Sequence, residues 1–390
     1  MPNLKRLLAV KDFERAAFKV MPRCVQGYVG GGTEDGASLQ DSIDVFSRIG
    51  FKPRGLRVVD QRTSACEVFG QTYAMPFGFA PTGFAGIVMH ECDLALAQVA
   101  QAKQIPFIIS GASSVPLEKL QQHTGDRCWY QAYLPGNMAR IDKLIDRLER
   151  ARIPVLVVTI DTCVGANREN LERLQFTVPF KMSPRIILDG MLHPRWSVNV
   201  FMRSLLNGGV PRFSNLYEEI GPPITQDPPN GFRGERDKLS WAHIHAIRAR
   251  WKGKLILKGV MHPEDATLAH EAGVDGLIVS THGGRQLDGC ISPLQALPAI
   301  VQAVPASLPV MMDGGVRRGS DVLKAMALGA TMVFAGRPAL YGAAVAGKPG
   351  IEKIVDIFQK EILTNMALLG SRTLADVTPD LIEPIQSPAR

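Results

Sequence analysis

Eight short apolar runs, rich in Val, Ile, Phe and Met, punctuate the chain at residues 75–80, 106–110, 129–134, 155–160, 255–258, 277–280, 309–312 and 332–335. Their apolar positions are successive rather than alternate, which predicts strands buried on both faces. Between them, segments at 91–103, 138–150, 240–251, 263–272 and 320–328 carry apolar residues three or four apart, the spacing of amphipathic helices. Strand and helix in alternation mean a parallel sheet covered by helices. Six of the seven spacings between run starts are about 22 to 32 residues, one strand–helix unit each, whereas the fourth is about 100. About 70 residues are therefore inserted after the fourth strand.

Eight such units predict an α/β fold, a closed (β/α)8 TIM barrel, over an open doubly wound sheet. The expected organisation is one domain over 1–390. It comprises a helical, lid-side N-terminal segment at 1–70, the barrel at 75–345, the insertion at 170–237, and a C-terminal helix and tail at 350–390. The first twenty residues, MPNLKRLLAVKDFERAAFKV, lack the apolar core of a signal peptide and predict an amphipathic surface helix. In a barrel of this kind functional side chains gather after the strands, on the C-terminal face. The polar residues fall there. Pro81, Thr82 and Gly83 follow the first run, Ser110 ends the second, and Gln131 and Tyr133 lie in the third. Thr159 and Asp161 close the fourth, with Arg168 further on, and Lys258 ends the fifth. Ser280, His282 and Arg285 follow the sixth, Asp313, Gly315 and Arg317 the seventh, and Gly336 and Arg337 the eighth.

Composition narrows the class. At 390 residues, 46% hydrophobic and 21% charged, the chain has material for a large core and is no disordered tail. Six cysteines form no C-x-x-C pair and no Cys/His cluster at zinc spacing, so neither a disulfide framework nor a metal site is expected, and a reducing, cytoplasmic setting fits. No run approaches the roughly 18 apolar residues of a membrane-spanning helix. The 44 basic against 37 acidic residues give a net charge of +7, which suits nucleic acid, an anionic surface or an anionic ligand. Without a zinc finger, an RNA-recognition signature or an Arg-rich tail, no nucleic-acid partner is expected.

The chemistry implied by these residues starts after strands seven and eight. DGGVRRG and AGRP place bare backbone amides and guanidinium forks where barrels hold a phosphate, although glycine pairs also serve simple tight turns. A lysine ending a buried strand, Lys258, is costly unless it meets an anion or an electron-rich ring, which a bound cofactor would supply. His282, in a Gly-rich turn at a strand end, can act as a base near neutral pH, and Asp161 can orient its ring. Arg168 and Arg285, with Tyr28 and Tyr133, can clamp a substrate carboxylate. The other seven histidines, His243 and His245 among them, read as surface or packing residues.

The strings PTG (81–83), YQAY (130–133), LKGV (257–260), STHGGRQLD (280–288) and DGGVRRGSDVLKAMALGA (313–330) together resemble the FMN-dependent L-2-hydroxy acid dehydrogenase and oxidase family. The N-terminal MPRCVQGYVGGGTED and DVFSRIGFKPR are similar to its lid-side segment, so the likeness spans nearly the whole chain. The resemblance implies an FMN cofactor, with Lys258 near the flavin N1 and O2. It sets Pro81, Thr82, Gly83, Ser110, Gln131 and Thr159 around the isoalloxazine ring, Ser280 and Asp313 along the ribityl chain, and Gly315, Arg317, Gly336 and Arg337 on the phosphate. Arg285 and Tyr28 would bind the substrate carboxylate, Tyr133 the hydroxyl side, and Arg168 would assist both substrate and transition state. His282, paired with Asp161, would be the base.

The implied reaction converts an L-2-hydroxy acid, mandelate- or lactate-like, into the 2-oxo acid, and the implied assembly is a homotetramer. Two departures from the family pattern stand out. Thr281 replaces the usual Asn before the histidine. Gly83 replaces the Ala of many oxidases, which favours passing electrons to a quinone or other carrier over an oxidase that makes hydrogen peroxide. More distant alternatives are an FMN-barrel isomerase, against which the arginine clamp argues, and a non-catalytic phosphate-binding module. Small residues at Gly83, Gly111 and Ala112 predict a roomy pocket suited to an aromatic acid, unless Phe84 or Met89 fills it.

The inserted segment has its own pattern. Over 174–216, Lys181, Arg185, Arg195, Arg203 and Arg212 face a single acid, Asp189. They interleave with Ile186, Ile187, Leu188, Met191, Leu192, Trp196, Val200, Phe201 and Leu205. This is the profile of a segment lying in an anionic membrane interface, here the cytoplasmic face of the inner membrane, or of a lid or subunit contact. The Pro-rich stretch 221–235 is expected to be mobile.

Overall fold

In the computed structural model, which describes residues 3–227 and 233–385, eight parallel strands close into a barrel in sequence order. They are β1 (Phe77–Phe79), β2 (Phe107–Ser110), β3 (Cys128–Ala132), β4 (Val155–Thr159), β5 (Lys254–Val260), β6 (Gly276–Val279), β7 (Val310–Asp313) and β8 (Met332–Ala335). Closure is made by β8 on β1, with Val333 opposite Phe77. All eight apolar runs are thus strands. The helices Cys92–Lys103, Met138–Arg150, Trp241–Arg250, Pro263–Glu271 and Gly319–Ala327 lie where the periodicity puts them.

The reason for continuous apolar runs is visible in the packing. Successive strand residues point to opposite faces. Ile108, Trp129, Val157, Ile256, Ile278, Met311 and Phe334 fill the barrel interior as a cluster of their own. Their neighbours Ile109, Tyr130, Leu156, Leu257, Val279, Met312 and Val333 point outward into the core shared with the helices.

One end of the interior is closed by a hairpin, Cys66–Val68 paired with Gln71–Tyr73. Val68 and Tyr73 join the interior cluster, and the Phe69 ring lies 5.7 Å from Trp129. Ahead of the hairpin the chain forms three α-helices, Val10–Val20, Arg23–Gly30 and Ala37–Asp44. The first of these buries Val10, Phe13 and Ala17, and Glu14 accepts a 2.8 Å hydrogen bond from Tyr341 on the helix Arg337–Ala346. The C-terminal helix Lys348–Leu369 is followed by a strand, Ile382–Pro384, antiparallel to Ile49–Phe51.

After β4 the insertion forms short helices at Glu169–Arg173, Pro184–Leu192, Pro194–Trp196 and Arg203–Gly208, with a further helical turn at Ser197–Met202. It is tied to the barrel. The Arg23 backbone N–H donates to Asp189 Oδ2 (2.6 Å), Trp196 Nε1 to the Ile87 carbonyl (2.7 Å), and Arg195 Nη2 to the Val345 carbonyl (2.6 Å). Its apolar residues divide accordingly. Ile186 and Val200 are buried and Trp196 is a tether, whereas Ile187, Leu188, Met191, Leu192 and Leu205 are exposed together with Met182, Val198, Met202 and Leu206. The stretch expected to be mobile is hydrogen-bonded where described: Phe213 N–H to Pro222 O, Ile224 N–H to Pro211 O, and Gly136 N–H to Glu235 O. Residues 228–232 of it, and the end of the expected C-terminal tail at 386–390, lie outside the described residues. No helix among the described residues is long and apolar enough to cross a membrane.

Candidate active site

A cavity of about 610 Å³ opens at the C-terminal ends of the strands, where barrel function is expected. At its base β5 carries Lys258, directly opposite Thr159 of β4. The pairing of β5 with β6 then shifts register, at Gly259, whose φ of +102° favours glycine. A Cβ there would stand 2.7 Å from Asp161 Cβ, so this glycine lets the carboxylate approach the strand. The Lys258 ammonium donates to Ser280 Oγ (2.7 Å) and pairs with Asp313 Oδ2 (2.8 Å), while Ser280 Oγ donates to Asp313 Oδ1 (2.5 Å). Burial alone would depress the Lys258 pKa, but Asp313 and Asp161 outweigh it and hold the ammonium above its ordinary value.

His282 sits at φ +56°, followed by Gly283 and Gly284 at +67° and +69°. Three successive left-handed residues are an uncommon backbone conformation of the kind stored at functional sites. At Gly284 a Cβ would lie 2.5 Å from Leu39 Cα, so the turn also requires a bare backbone against the lid-side segment. His282 Nδ1 is 2.9 Å from Asp161 Oδ1, and its Nε2 is 3.4 Å from Tyr133 Oη. Donation from Nδ1–H to Asp161 leaves Nε2 with its lone pair toward the cavity side chains. Burial lowers the His282 pKa below its ordinary value against the opposing pull of Asp161, so the ring is neutral at pH 7. Asp161 is held below the usual carboxylate range, because His282 and Lys258 outweigh the effect of its burial.

The basic and phenolic residues expected at the substrate all line this cavity. Tyr28, Tyr133, Arg168 and Arg285 are in its wall. Arg285 Nη1 donates to the carbonyls of Tyr28 (2.6 Å) and Gly31 (3.1 Å), with its guanidinium 4.9 Å from the Tyr28 ring centre. Burial and the neighbouring Arg168 push its pKa down to about 9. Arg168 Nε donates to the Arg285 carbonyl (3.0 Å) and Nη2 to Gln286 Oε1 (2.9 Å). Tyr28 Oη donates to the Gly83 carbonyl (3.0 Å), which holds the lid-side helix on the loop after β1.

Pro81, Thr82, Gly83, Gln131, Thr159, Lys258, Asp313, Gly315, Arg317, Gly336 and Arg337 line the same cavity. Two expected cofactor residues sit one layer behind the wall. Ser110 Oγ accepts from Ala112 N–H (3.1 Å), and Ser280 is engaged with Lys258 and Asp313. The Arg337 guanidinium is also engaged within the protein. It donates to the carbonyls of Val29, Gly31 and Gly283, at 2.9 to 3.0 Å, so it locks the lid-side segment, and its backbone amide at the start of Arg337–Ala346 remains for an anion.

Fit to a flavin is tested by what is left unpaired. Thr82 Oγ1, Gln131 Nε2 and Thr159 Oγ1 are buried polar atoms without a hydrogen-bond partner, in the loop after β1 and near the ends of β3 and β4. Such atoms are costly unless a ligand satisfies them, and a ring with a polar edge does so. At the other end Gly315 has no room for a side chain, since a Cβ would fall 1.6 Å from the Ser42 carbonyl, and Arg317 stands beside it in the wall. A long, amphipathic, phosphorylated cofactor matches both ends.

Two residues escaped the sequence reading. Arg233 and Arg236, from the far end of the insertion, line the cavity. Arg236 is buried with its guanidinium 4.3 Å from the Tyr133 ring centre, and burial pushes its pKa down to about 10. Their only signal was a pair of arginines three apart within a stretch whose composition suggests a loose loop. At Gly83 a Cβ would lie 3.0 Å from Ala112 Cβ and 3.4 Å from Tyr28 Oη, so the departure from Ala widens the cavity where the two loops meet.

Comparison with known proteins agrees with this geometry. The pattern of the FMN-dependent dehydrogenase family matches residues 17–384. The chain is 34% identical over 379 residues to (S)-mandelate dehydrogenase of Pseudomonas putida, covering 97% of this chain and 94% of that one. It is 34% identical over 376 residues to an L-lactate dehydrogenase of Azorhizobium caulinodans, covering 95% and 96%. Among solved structures, that of the monotopic membrane protein (S)-mandelate dehydrogenase superposes with a TM-score of 0.89 at 33% identity, over 97% of this chain and all of that one. A mandelate oxidase variant with (S)-mandelic acid superposes with a TM-score of 0.78 at 29% identity, over 95% and 96%. The chain belongs to the FMN-dependent dehydrogenase family, whose cofactor is FMN.

Proposed function

We propose that the protein oxidises an L-2-hydroxy acid, mandelate- or lactate-like at its reacting end, to the 2-oxo acid and passes the electrons to a quinone or other carrier. The observation that carries this reading is the line Asp161–His282–Tyr133, at 2.9 and 3.4 Å, set in a cavity wall that also holds Arg285 and Arg168. Bound FMN supplies the acceptor for the substrate's two electrons. Arg285 and Arg168 hold the carboxylate, the first by a fork and the second from the adjoining loop. Tyr133 Oη positions the substrate hydroxyl, and its pKa, raised by burial, keeps it a neutral phenol. His282 Nε2 takes a proton from the reacting hydroxyl-bearing centre, and Asp161 stabilises the imidazolium. Lys258, with Asp313 and Ser280, keeps positive charge at the cavity base, while Thr82, Gln131 and Thr159 meet the ring and Gly315, Arg317 and the Arg337 amide meet the phosphate.

The exposed apolar residues of the insertion, with Lys181, Arg185 and Arg203 exposed among them, support peripheral attachment to an anionic membrane. The monotopic character of the solved (S)-mandelate dehydrogenase supports the same placement. The decisive test is the visible spectrum of the FMN-loaded protein under anaerobic conditions before and after L-mandelate and L-lactate. Bleaching of the flavin bands is expected, with little peroxide formed when air is admitted. Flavin that is bound yet reduced by no L-2-hydroxy acid would overturn the reading.

A further inference from the structure

The substrate end of the cavity holds more positive charge than one carboxylate requires. Arg168, Arg233, Arg236 and Arg285 all contribute to its wall. Of the carboxylates in that wall, Asp313 pairs with Lys258 and Glu172 is exposed, while behind it Asp161, facing the neutral His282, offsets one of the four charges. A monocarboxylate brings one negative charge to four guanidinium groups in a partly water-excluded space, where like charges repel strongly. The strain is legible in the groups themselves. Burial, and after it Arg168, push Arg285 down to about 9 and lower Arg233, while burial pushes Arg236 down to about 10 against the opposing pull of Tyr133.

We propose that this end of the cavity takes a 2-hydroxy acid bearing a second anionic group, a 2-hydroxydicarboxylate, with Arg236 and Arg233 forming the subsite for that group. The proposal rests on the hydroxy acid reading above and specifies what the substrate carries beyond its reacting end. Arg236 lies on the face of Tyr133, whose hydroxyl is 3.4 Å from His282 Nε2, so its charge flanks the reacting position without occupying it. Arg233 is held from behind, Nη1 donating to the Val164 carbonyl (3.3 Å) in a place where Gly165 leaves room for it. Arg285 and Arg168 then take the carboxylate beside the reacting carbon, and the second pair takes the distal one. Guanidinium forks bind carboxylates bidentately, which suits them to discriminate a diacid from an apolar side chain. The competing role for Arg236 is a brace for the Tyr133 ring, which would act on every substrate alike.

The test compares L-malate, L-2-hydroxyglutarate, L-lactate and L-mandelate as anaerobic reductants of the FMN-loaded enzyme. In parallel, calorimetric titrations with 2-oxoglutarate and pyruvate read binding without turnover. One of the diacids should exceed both monoacids in reduction efficiency by about tenfold or more, and 2-oxoglutarate should bind more tightly than pyruvate. Arg236→Met should lower the diacid-to-monoacid ratio by about tenfold, Arg236→Lys should restore part of it, and Arg233→Gln should lower it less. Monoacids outperforming both diacids would overturn the subsite, as would an Arg236→Met variant that weakens all acids equally. Flavin reduced by none of the four acids would overturn the hydroxy acid reading instead, and the calorimetric arm would still decide the subsite.

Discussion

Lys258 and Asp313 form an ion pair of 2.8 Å at the base of the cavity, with side chains only 4% and 9% exposed. The pair joins β5 to β7 across Ser280 at the end of β6, so one charge pair braces three strand ends. Replacing Lys258 by Met would leave the Asp313 carboxylate buried without its cation, a change that costs about 3–5 kcal/mol. Lys258→Met is therefore expected to lower the urea midpoint at an unchanged slope, measured with FMN in excess, and to slow flavin reduction. A midpoint equal to that of the native protein would show that the Lys258–Asp313 pair does not hold the strand ends together.

The Asp161–His282 pair makes a prediction in pH. A base works deprotonated, so the rate of flavin reduction is full above the His282 pKa and is lost as pH falls through it. Because burial depresses that pKa, the acid limb should lie below the ordinary value of about 6.5. Asp161 pulls the pKa upward, so Asp161→Asn should move the limb further down while slowing reduction by about 10²- to 10⁴-fold. Stopped-flow reduction between pH 4.5 and 9 reads both effects. A limb that moves upward in the variant would contradict the pairing.

Arg285 joins the substrate site to the lid-side segment through the carbonyls of Tyr28 and Gly31. Lysine at this position keeps a charge but loses the planar fork and the stacking on Tyr28. Arg285→Lys should weaken binding of a 2-hydroxy acid by about tenfold or more, as well as slowing reduction. The apparent dissociation constant from anaerobic titration checks it. An unchanged constant would mean that Arg285 does not touch the carboxylate.

How much of this was legible in the sequence follows from where the signal resides. The barrel could be read because strands buried on both faces give unbroken apolar runs, such as Val155–Thr159 and Val310–Asp313. The hairpin Cys66–Tyr73 could not, because each of its strands buries a single residue, Val68 or Tyr73, and so leaves no apolar run. The site residues were placed at strand ends by topology alone, and His282 and Asp161 meet as expected. Orientation was not legible: Ser110 and Ser280 turn into hydrogen bonds behind the wall, and Arg337 reaches the carbonyls of a segment 306 to 308 residues away. Arg233 and Arg236 reach the cavity through a tertiary fold-back of the insertion, which composition reads only as a Pro-rich loop.

The insertion carries the last prediction. Leu192 and Leu206 are 72% and 79% exposed, and Met191 and Leu188 are exposed too, on a segment tied to the rest of the fold through Asp189, Arg195 and Trp196. Burying one such leucine in a bilayer interface is worth about 1.5–3 kcal/mol, so exchanging two for charged residues should reduce partitioning by about a hundredfold or more. Leu192→Glu combined with Leu206→Glu is expected to abolish co-sedimentation with phosphatidylglycerol vesicles and to leave the flavin reduction rate unaltered, since neither residue lines the cavity. Binding of the native protein should also weaken as salt rises, because Lys181, Arg185 and Arg203 add an electrostatic attraction that salt screens. Native protein that stays in the supernatant with these vesicles at low salt would mean that the apolar face is covered by protein, and sedimentation velocity on the same sample would then show the larger species.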